Sequence, residues 1–457
     1  RFRKSPPFPE PLQELNLPVL ETATLSNGLT LCVAFRENLP LIGMQLVIQA
    51  GESSSPPDLP GVATFTAHMM ERGTASLTSS QIEEMIESIG GNFSISTSYD
   101  YSLFSFSFPE EYLDEVLSLL SQMILQPAFM EREIDTVKRI LFYDVLGKGR
   151  DAQFLAKRQL LQLLFKNHPY RNATFTEDSI KNIDQKDVIS FFEKYYRPNN
   201  ALLVLTGNLN LTTASKKVSH YLNTWQNQDL EHSLLPSPEA NAEERVCFIE
   251  LPKAKDCTIL LGNIILSVTS PAFFPILVLN QVLGGTPNSR LFMNLRESKG
   301  YAYFAFSEVE FHKSCGVFII NAKVAPDTVY VSIQEILKEL RTISKEKIPT
   351  SEIEQAKSYL IGNFPLKIEN LNDFCSKISD IENFNLGEEH WNEYYENIML
   401  IDSEKVFEVA QGYSLLTPVI VVVGDKLVME ALREFDKVDV YDRKGVLQYT
   451  ITKGAEK

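Results

Sequence analysis

The sequence predicts an α+β fold of two homologous domains, each a mostly antiparallel sheet with helices packed on one face. Three observations carry that reading. The two halves of the 457-residue chain repeat one another at an offset of about 219 positions. Each half contains an alternating aromatic hairpin. Amphipathic helical stretches separate the strand-like runs.

The repeat is legible in particular residues. Glu133-Ile134, followed by Lys138 and Leu141, recurs as Glu352-Ile353, followed by Lys357 and Leu360. The apolar run over residues 201–207 returns over residues 419–424, ending each time in glycine. Solenoid units repeat every 20–50 residues or so, and this far longer offset means duplicated domains.

Residues 1–18, rich in proline, read as an extended N-terminal arm. Residues 19–232 make the first domain. Val62, Phe65, Met69 and Met70 recur at helical spacing, so residues 61–74 read as a helix. Thr78-Ser79-Ser80-Gln81 is a capping box, and Gly90-Gly91 ends its helix after the stripe Ile82, Met85, Ile86 and Ile89. Phe93, Ile95 and Thr97, then Phe104, Phe106 and Phe108, alternate as two arms of a hairpin. A helix follows over residues 111–125, and a longer helical pattern over 132–164 breaks near Gly147 and Gly149. Residues 233–244, polar and Pro-containing, read as a linker. Residues 245–457 make the second domain, whose hairpin runs from residues 301–306 through a turn at His312-Lys313 to residues 317–320.

Composition narrows the function classes. At 44% hydrophobic and 22% charged, the chain has the balance of a folded globular protein. Its longest apolar runs, residues 259–266 and 417–423, are strand-length, far below the roughly 20 residues that a helix needs to span a bilayer. No integral membrane segment is expected. A formal net charge of -16 argues against nucleic acid as a partner, because no basic excess exists to displace phosphate counterions. Cys32, Cys247, Cys257, Cys315 and Cys375 lie far apart without a C-x-x-C pair, so they read as buried thiols.

Two segments carry candidate chemistry. Residues 61–74 read Gly-Val-Ala-Thr-Phe-Thr-Ala-His-Met-Met-Glu-Arg-Gly-Thr. On a helix, His68 and Arg72 stand four apart on one face, with Glu71 beside them. A histidine at 72 would complete H-x-x-E-H, the inverted zincin motif of two imidazole ligands and a glutamate base. Arginine is a permanent cation and cannot ligate zinc. The second segment is residues 283–303, LGGTPNSRLFMNLRESKGYAY. There Gly300 ends a helix, and Tyr301 and Tyr303 alternate to one face of the next strand. Either tyrosine could face a cavity.

These segments, with Leu25-Ser26-Asn27-Gly28-Leu29, Gly90-Gly91, Asn167-His168-Pro169-Tyr170 and Gly207, resemble the pitrilysin/insulinase family of zinc metallopeptidases over nearly the whole chain. The resemblance is to the non-catalytic subunit type, similar to the alpha subunit of mitochondrial processing peptidase and to bacterial periplasmic heterodimeric members. It implies half of a clamshell. In the family an acidic third ligand follows on a later helix, and it falls on Asp144. His68, Glu71, Arg72 and Asp144 are therefore degenerate metal-site positions, with Arg72 expected to pair with Glu71 or Asp144 and to hold the helices together without metal. A family pair of arginine and tyrosine seven apart, which donates to the carbonyl of the scissile bond, maps onto Arg296 and Tyr303. Only that spacing selects Tyr303. Gly284-Gly285 resembles a shortened glycine-rich loop that admits substrate, and Tyr301 stands beside it as a further substrate-binding residue.

The resemblance implies a substrate-binding subunit that is inactive alone and binds no cofactor. A homologous partner with an intact H-x-x-E-H supplies zinc, and the two close on an unfolded peptide that adds as a strand to a sheet edge. The implied location is the periplasm or cell envelope of a bacterium, with a mitochondrial setting as the alternative. Two other classes compete. One is a structural subunit like the core proteins of the respiratory cytochrome bc1 complex, and the other is a self-contained peptidase with an unusual site. His168, His220, His232, His312 and His390 read as solvated surface histidines.

Overall fold

A computed structural model describes residues 18–37, 40–230, 235–239, 243–412 and 415–453. The expected arm lies outside the described residues except for Pro18, as do residues 233–234 and 240–242 of the expected linker.

Two sheets carry the fold. The first contains β1 (Leu20–Thr24), β2 (Thr30–Phe35), β3 (Leu41–Ile48), β4 (Asn92–Thr97), β5 (Ser102–Pro109) and β6 (Ala201–Gly207), ordered β1-β2-β6-β3-β5-β4. Only β2 and β6 pair in parallel. The second contains β7 (Arg245–Glu250), β8 (Cys257–Ile265), β9 (Ala302–Phe311), β10 (Gly316–Val324), β11 (Val419–Gly424), β12 (Lys437–Tyr441) and β13 (Leu447–Thr452). Its order is β13-β12-β7-β11-β8-β10-β9, with β7 parallel to β11 and β12. The aromatic alternation sets the register of the first hairpin, where Phe93 faces Phe106 and Ile95 faces Phe104.

The helices of the first half are α1 (Val62–Met69), α2 (Ser79–Ser88), α3 (Leu113–Leu125), α4 (Glu131–Lys148), α5 (Ala152–Phe165), α6 (Glu177–Asn182), α7 (Gln185–Tyr195) and α8 (Leu211–Leu222). Those of the second are α9 (Phe273–Leu283), α10 (Arg290–Phe292), α11 (Val329–Lys345), α12 (Thr350–Lys367), α13 (Leu371–Phe384), α14 (Tyr394–Met399), α15 (Ser403–Gly412) and α16 (Met429–Leu432). Thr78 and Gln81 close the capping box of α2. The long pattern over 132–164 divides where expected, since α4 stops at Lys148 and α5 restarts behind the Asp151 cap.

Each sheet carries its own half's helices on one face, and the other face is covered by exchange. Helix α5, from the first half, lies on the second sheet, where Leu160 and Leu164 pack with Cys247, Leu260 and Val421. Helix α13, from the second half, lies on the first sheet, where Phe374 and Cys375 join the core that holds Cys32, Val47 and Val204. Buried Gln45 on β3 stitches this contact, donating to Asn372 O at 3.0 Å and Ser376 Oγ at 3.1 Å. Glycines permit the close approach. A Cβ on Gly43 would meet Cys375 Sγ at 3.0 Å, and one on Gly262 would meet Leu160 Cδ2 at 2.8 Å.

Between the halves three turns meet, and they bury histidines expected at the surface. His168 and His312 are 7% and 9% exposed. Their rings pack with Tyr99 and Tyr170, and Asp100 accepts from Tyr170 Oη at 2.7 Å and from Lys313 N at 2.9 Å. His168 Nε2 meets Pro236 O at 2.7 Å. His390 is half-buried among Phe273, Phe274 and Trp391, while His220 is exposed and His232 lies outside the described residues. Aromatic neighbours distant in sequence explain the burial, and no local pattern announces them.

Candidate functional site

The segment that holds His68 begins at a buried carboxylate. Glu52 accepts from Ser55 Oγ at 2.9 Å, Gly61 N at 3.0 Å and Thr64 N at 2.8 Å, and from the Thr64 hydroxyl. A negative group at a helix N-terminus satisfies free N–H donors and opposes the positive end of the helix dipole. Gly61, at φ +95°, provides the entry turn.

The helix is shorter than expected. It stops at Met69, Gly73 turns at φ +123°, and the chain leaves through the bridges Gly73–Thr78 and Thr74–Pro127. Glu71 and Arg72 therefore sit in the exit turn rather than on the helical face of His68. Arg72 Nη2 donates to Glu71 Oε1 at 2.9 Å, and His68 Nδ1 lies 3.6 Å from the same oxygen. Burial works to raise the Glu71 carboxyl, but His68 and Arg72 together outweigh it and hold the group below the usual carboxylate range. This pair is local to one turn and does not tie α1 to α4. Asp144 on α4 pairs instead with Lys148 at 2.6 Å, one helical turn away.

Within α1 the residue four before His68 is Thr64, and the run reads Thr64-Phe65-Thr66-Ala67-His68. The ended helix thus favours a register in which His68 is the last member of the motif, with threonine and alanine at the other two positions. In either register one imidazole remains. A catalytic zinc needs three protein ligands and an open position. Among the described residues no group of three or more His, Cys, Asp or Glu side chains is drawn together to hold a metal. The residues around His68 do not fit a catalytic zinc.

The second segment is built on a π-turn. Residues Met293–Ser298 form it, and Gly300 at φ +65° leads into β9. Three contacts pin it. Asn294 Nδ2 donates to Glu339 Oε1 at 2.8 Å and Glu335 Oε2 at 3.3 Å, and Lys299 pairs with Glu335 at 2.6 Å. Arg290 just ahead holds Glu352 of α12 through two bonds, at 2.7 and 3.0 Å. Such a planar fork fixes orientation as well as distance.

Arg296 and Tyr303 project from this platform. The Arg296 side chain is 50% exposed, 3.7 Å from Glu297, with its guanidinium 4.8 Å from the centre of the Phe292 ring. Tyr303 is 61% exposed. Among the described residues neither the Arg296 guanidinium nor the Tyr303 hydroxyl makes a hydrogen bond. The simple alternation expected of Tyr301 and Tyr303 is broken by a bulge. Lys323 faces Phe304 and Val324 faces Ala302, so Tyr303 is the extra residue and is turned outward. Tyr301 is half-buried, its N–H donating to Leu295 O and its carbonyl accepting from Thr328 Oγ1.

Gly284 and Gly285 lie against the outer edge of β9. Ser307 N donates to Gly284 O at 2.9 Å, and a Cβ on Gly284 would come within 2.3 Å of that nitrogen. A Cβ on Gly285 would meet Gln281 Oε1 at 2.5 Å. Beyond them a cleft of about 590 Å³ opens between this loop and α12, lined by Thr286, Ser289, Gln355 and Tyr359. The structure thus gathers Arg296, Tyr301, Tyr303 and the two glycines around one strand, and His68, Glu71 and Arg72 around α1. Asp144 lies on α4, which packs against α1, and its carboxylate is taken up by Lys148. Sequence reasoning missed Glu52, Thr64 and Asn294. Glu52 carries no local signal, because Pro56, Pro57 and Pro60 stand between it and the helix that starts at Val62, and only the folded loop brings its carboxylate back to that N-terminus.

Comparison with known proteins agrees with this architecture. Residues 37–178 match the family model described as insulinase (peptidase family M16), and residues 182–360 match that described as the peptidase M16 inactive domain. The non-peptidase homolog YmxG of Helicobacter pylori is 26% identical over 352 residues, covering 74% of this chain and 79% of that protein. The uncharacterized zinc protease YmxG of Bacillus subtilis is 23% identical over 360 residues, covering 79% and 87%. Among solved structures, the peptidase M16 inactive domain from Pseudomonas fluorescens superposes with a TM-score of 0.84 at 20% identity, over 90% of this chain and 98% of that one. The periplasmic protease PqqL from Escherichia coli gives 0.74 at 17% identity, over 92% of this chain and 49% of that one. At such identities the structural likeness speaks to the fold.

Proposed function

The chain belongs to the insulinase family, peptidase family M16, and from that premise we propose that it is the non-catalytic, substrate-binding subunit of a two-chain zinc peptidase. One contrast carries the reading. The first half retains a single imidazole of its metal motif, while the second half presents Arg296 and Tyr303 from a braced platform, exposed, with Glu297 as the only carboxylate paired to Arg296 among the described residues. Exposed donors on a fixed platform suit an oxygen that gains charge during peptide hydrolysis, and guanidinium and phenol both donate at neutral pH.

In this reading a homologous chain with an intact H-x-x-E-H holds zinc and the base. It faces Arg296 and Tyr303 across a cavity that closes on an unfolded peptide. The peptide adds to a sheet edge: β4 and β9 are outermost in their sheets. Among the described residues no helix is long and apolar enough to cross a membrane, and the likeness to a periplasmic protease supports a place in the bacterial envelope.

The test mixes this chain with a purified H-x-x-E-H homologue and follows cleavage of an unstructured peptide. This chain alone is expected to cut nothing and the mixture to turn over. Arg296→Ala should slow the mixture by about 10²-fold, the scale for loss of one oxyanion donor. Unaided cleavage with a full equivalent of bound zinc would sink the proposal.

A further inference from the structure

A cavity of about 510 Å³ lies between the end of α4, the start of α5 and the turn after β4. Its walls are mostly apolar, with Val145, Phe154, Leu161 and Phe175 among them. Three cations also line it. Lys148 is matched by Asp144 and Lys157 by Glu310. Arg158 is matched by no carboxylate within ion-pair distance among the described residues, and Glu177 and Asp442 act on it only through space.

Arg158 is 4% exposed. Its guanidinium lies 5.5 Å from the centre of the Phe154 ring, donates through Nη2 to Arg443 O, and leaves Nε buried without a partner. Guanidinium stays ionised in proteins, and a buried one whose nearest carboxylates, Glu177 and Asp442, act only at a distance gains from an anion that arrives to share the cavity. With Lys148 and Lys157 each paired to a carboxylate, Arg158 is the cation left to meet a ligand, and the apolar wall beside it suits a monoanion with an apolar body.

We propose that this cavity binds an apolar carboxylate, with the Arg158 guanidinium as its anchor and the Val145–Phe154–Leu161–Phe175 wall around its hydrocarbon part. Two sources share that chemistry, the free C-terminus of a peptide that ends in an apolar residue and a medium-chain fatty acid. The proposal stands on the cavity itself and does not depend on the peptidase reading.

Calorimetric titration of the full chain tests it. The probes are octanoate, an N-acetylated tetrapeptide ending in two leucines, and the same peptide with its C-terminus amidated. At least one of the two acids is expected to bind, and which one does identifies the source. The amide should bind at least 10-fold more weakly than its acid, or not at all. Arg158→Met should weaken the acid at least 10-fold. So should Ala173→Trp, which fills the cavity and leaves the cation in place, and it decides the matter if Arg158→Met does not fold. The proposal fails if neither acid binds the unmodified chain, if the amide matches the acid, or if the folded variants bind as the parent does.

Discussion

Thr64, Ala67 and His68 mark how far the first half has moved from metal chemistry, and Glu52 shows what the same helix now depends on. Four donors converge on this 2%-exposed carboxylate. Glu52→Ala should leave several of them unsatisfied and lower stability by about 2–4 kcal/mol in urea unfolding. His312 gives a second residue-scale expectation. Burial, helped by Lys157, depresses its imidazole from the usual 6.5 to about 4. Between those values the unfolded chain takes up a proton that the folded chain refuses, so its contribution is intact above about pH 6.5 and is lost as pH falls towards 4. A shift of that size corresponds to about 3 kcal/mol. His312→Phe, stacked on Tyr99, should narrow the difference between urea midpoints measured at pH 7.5 and pH 4.5, leaving the share of His390, which burial also depresses to about 4, and an unchanged difference would remove His312 as a source. At this scale the sequence placed one residue of the motif on its element and missed the register. Periodicity put His68 on a helix, but nothing in the local pattern revealed that Gly73 ends the turn early enough to carry Glu71 and Arg72 off it.

Elements were the most legible layer. Capping at Thr78, the break between α4 and α5, and both hairpins follow from local residue order. Thr78→Ala should cost about 1 kcal/mol in thermal or urea unfolding. The π-turn at Met293–Ser298 and the bulge at Tyr303 were not legible, because both answer to tertiary partners, Glu335, Glu339 and β10. The exchanged helices were equally hidden, since an apolar helix face does not say which sheet it will meet. Their tight seats make a sharp expectation. Gly43→Val should destabilise by about 1–3 kcal/mol, as overpacked cores do, and Gly262→Val similarly. A melting curve unchanged for either variant would mean that the helix above it yields freely.

At the level of the molecule, duplication was readable from an offset of about 219 residues, and that spacing returns in the structure in the two glycines under α13 and α5. The division into residues 19–232 and 245–457 predicts two foldable units, yet the exchange argues that neither half is complete. Each half produced alone should expose the apolar face that the other half's helix covers, bind a hydrophobic dye and aggregate. Co-produced halves should reassociate and melt in one transition. Independent, cooperative folding of residues 19–232 would contradict this.

The seat of α13 also sets a timetable for synthesis. The first sheet has all its strands once Gly207 has left the ribosome, but α13 ends about 180 residues later, at Phe384. At about 5–20 residues per second, Cys32, Val47 and Val204 wait on the order of 10–35 s for their lid. A nascent chain of this design has reason to meet a holdase before it meets any partner subunit.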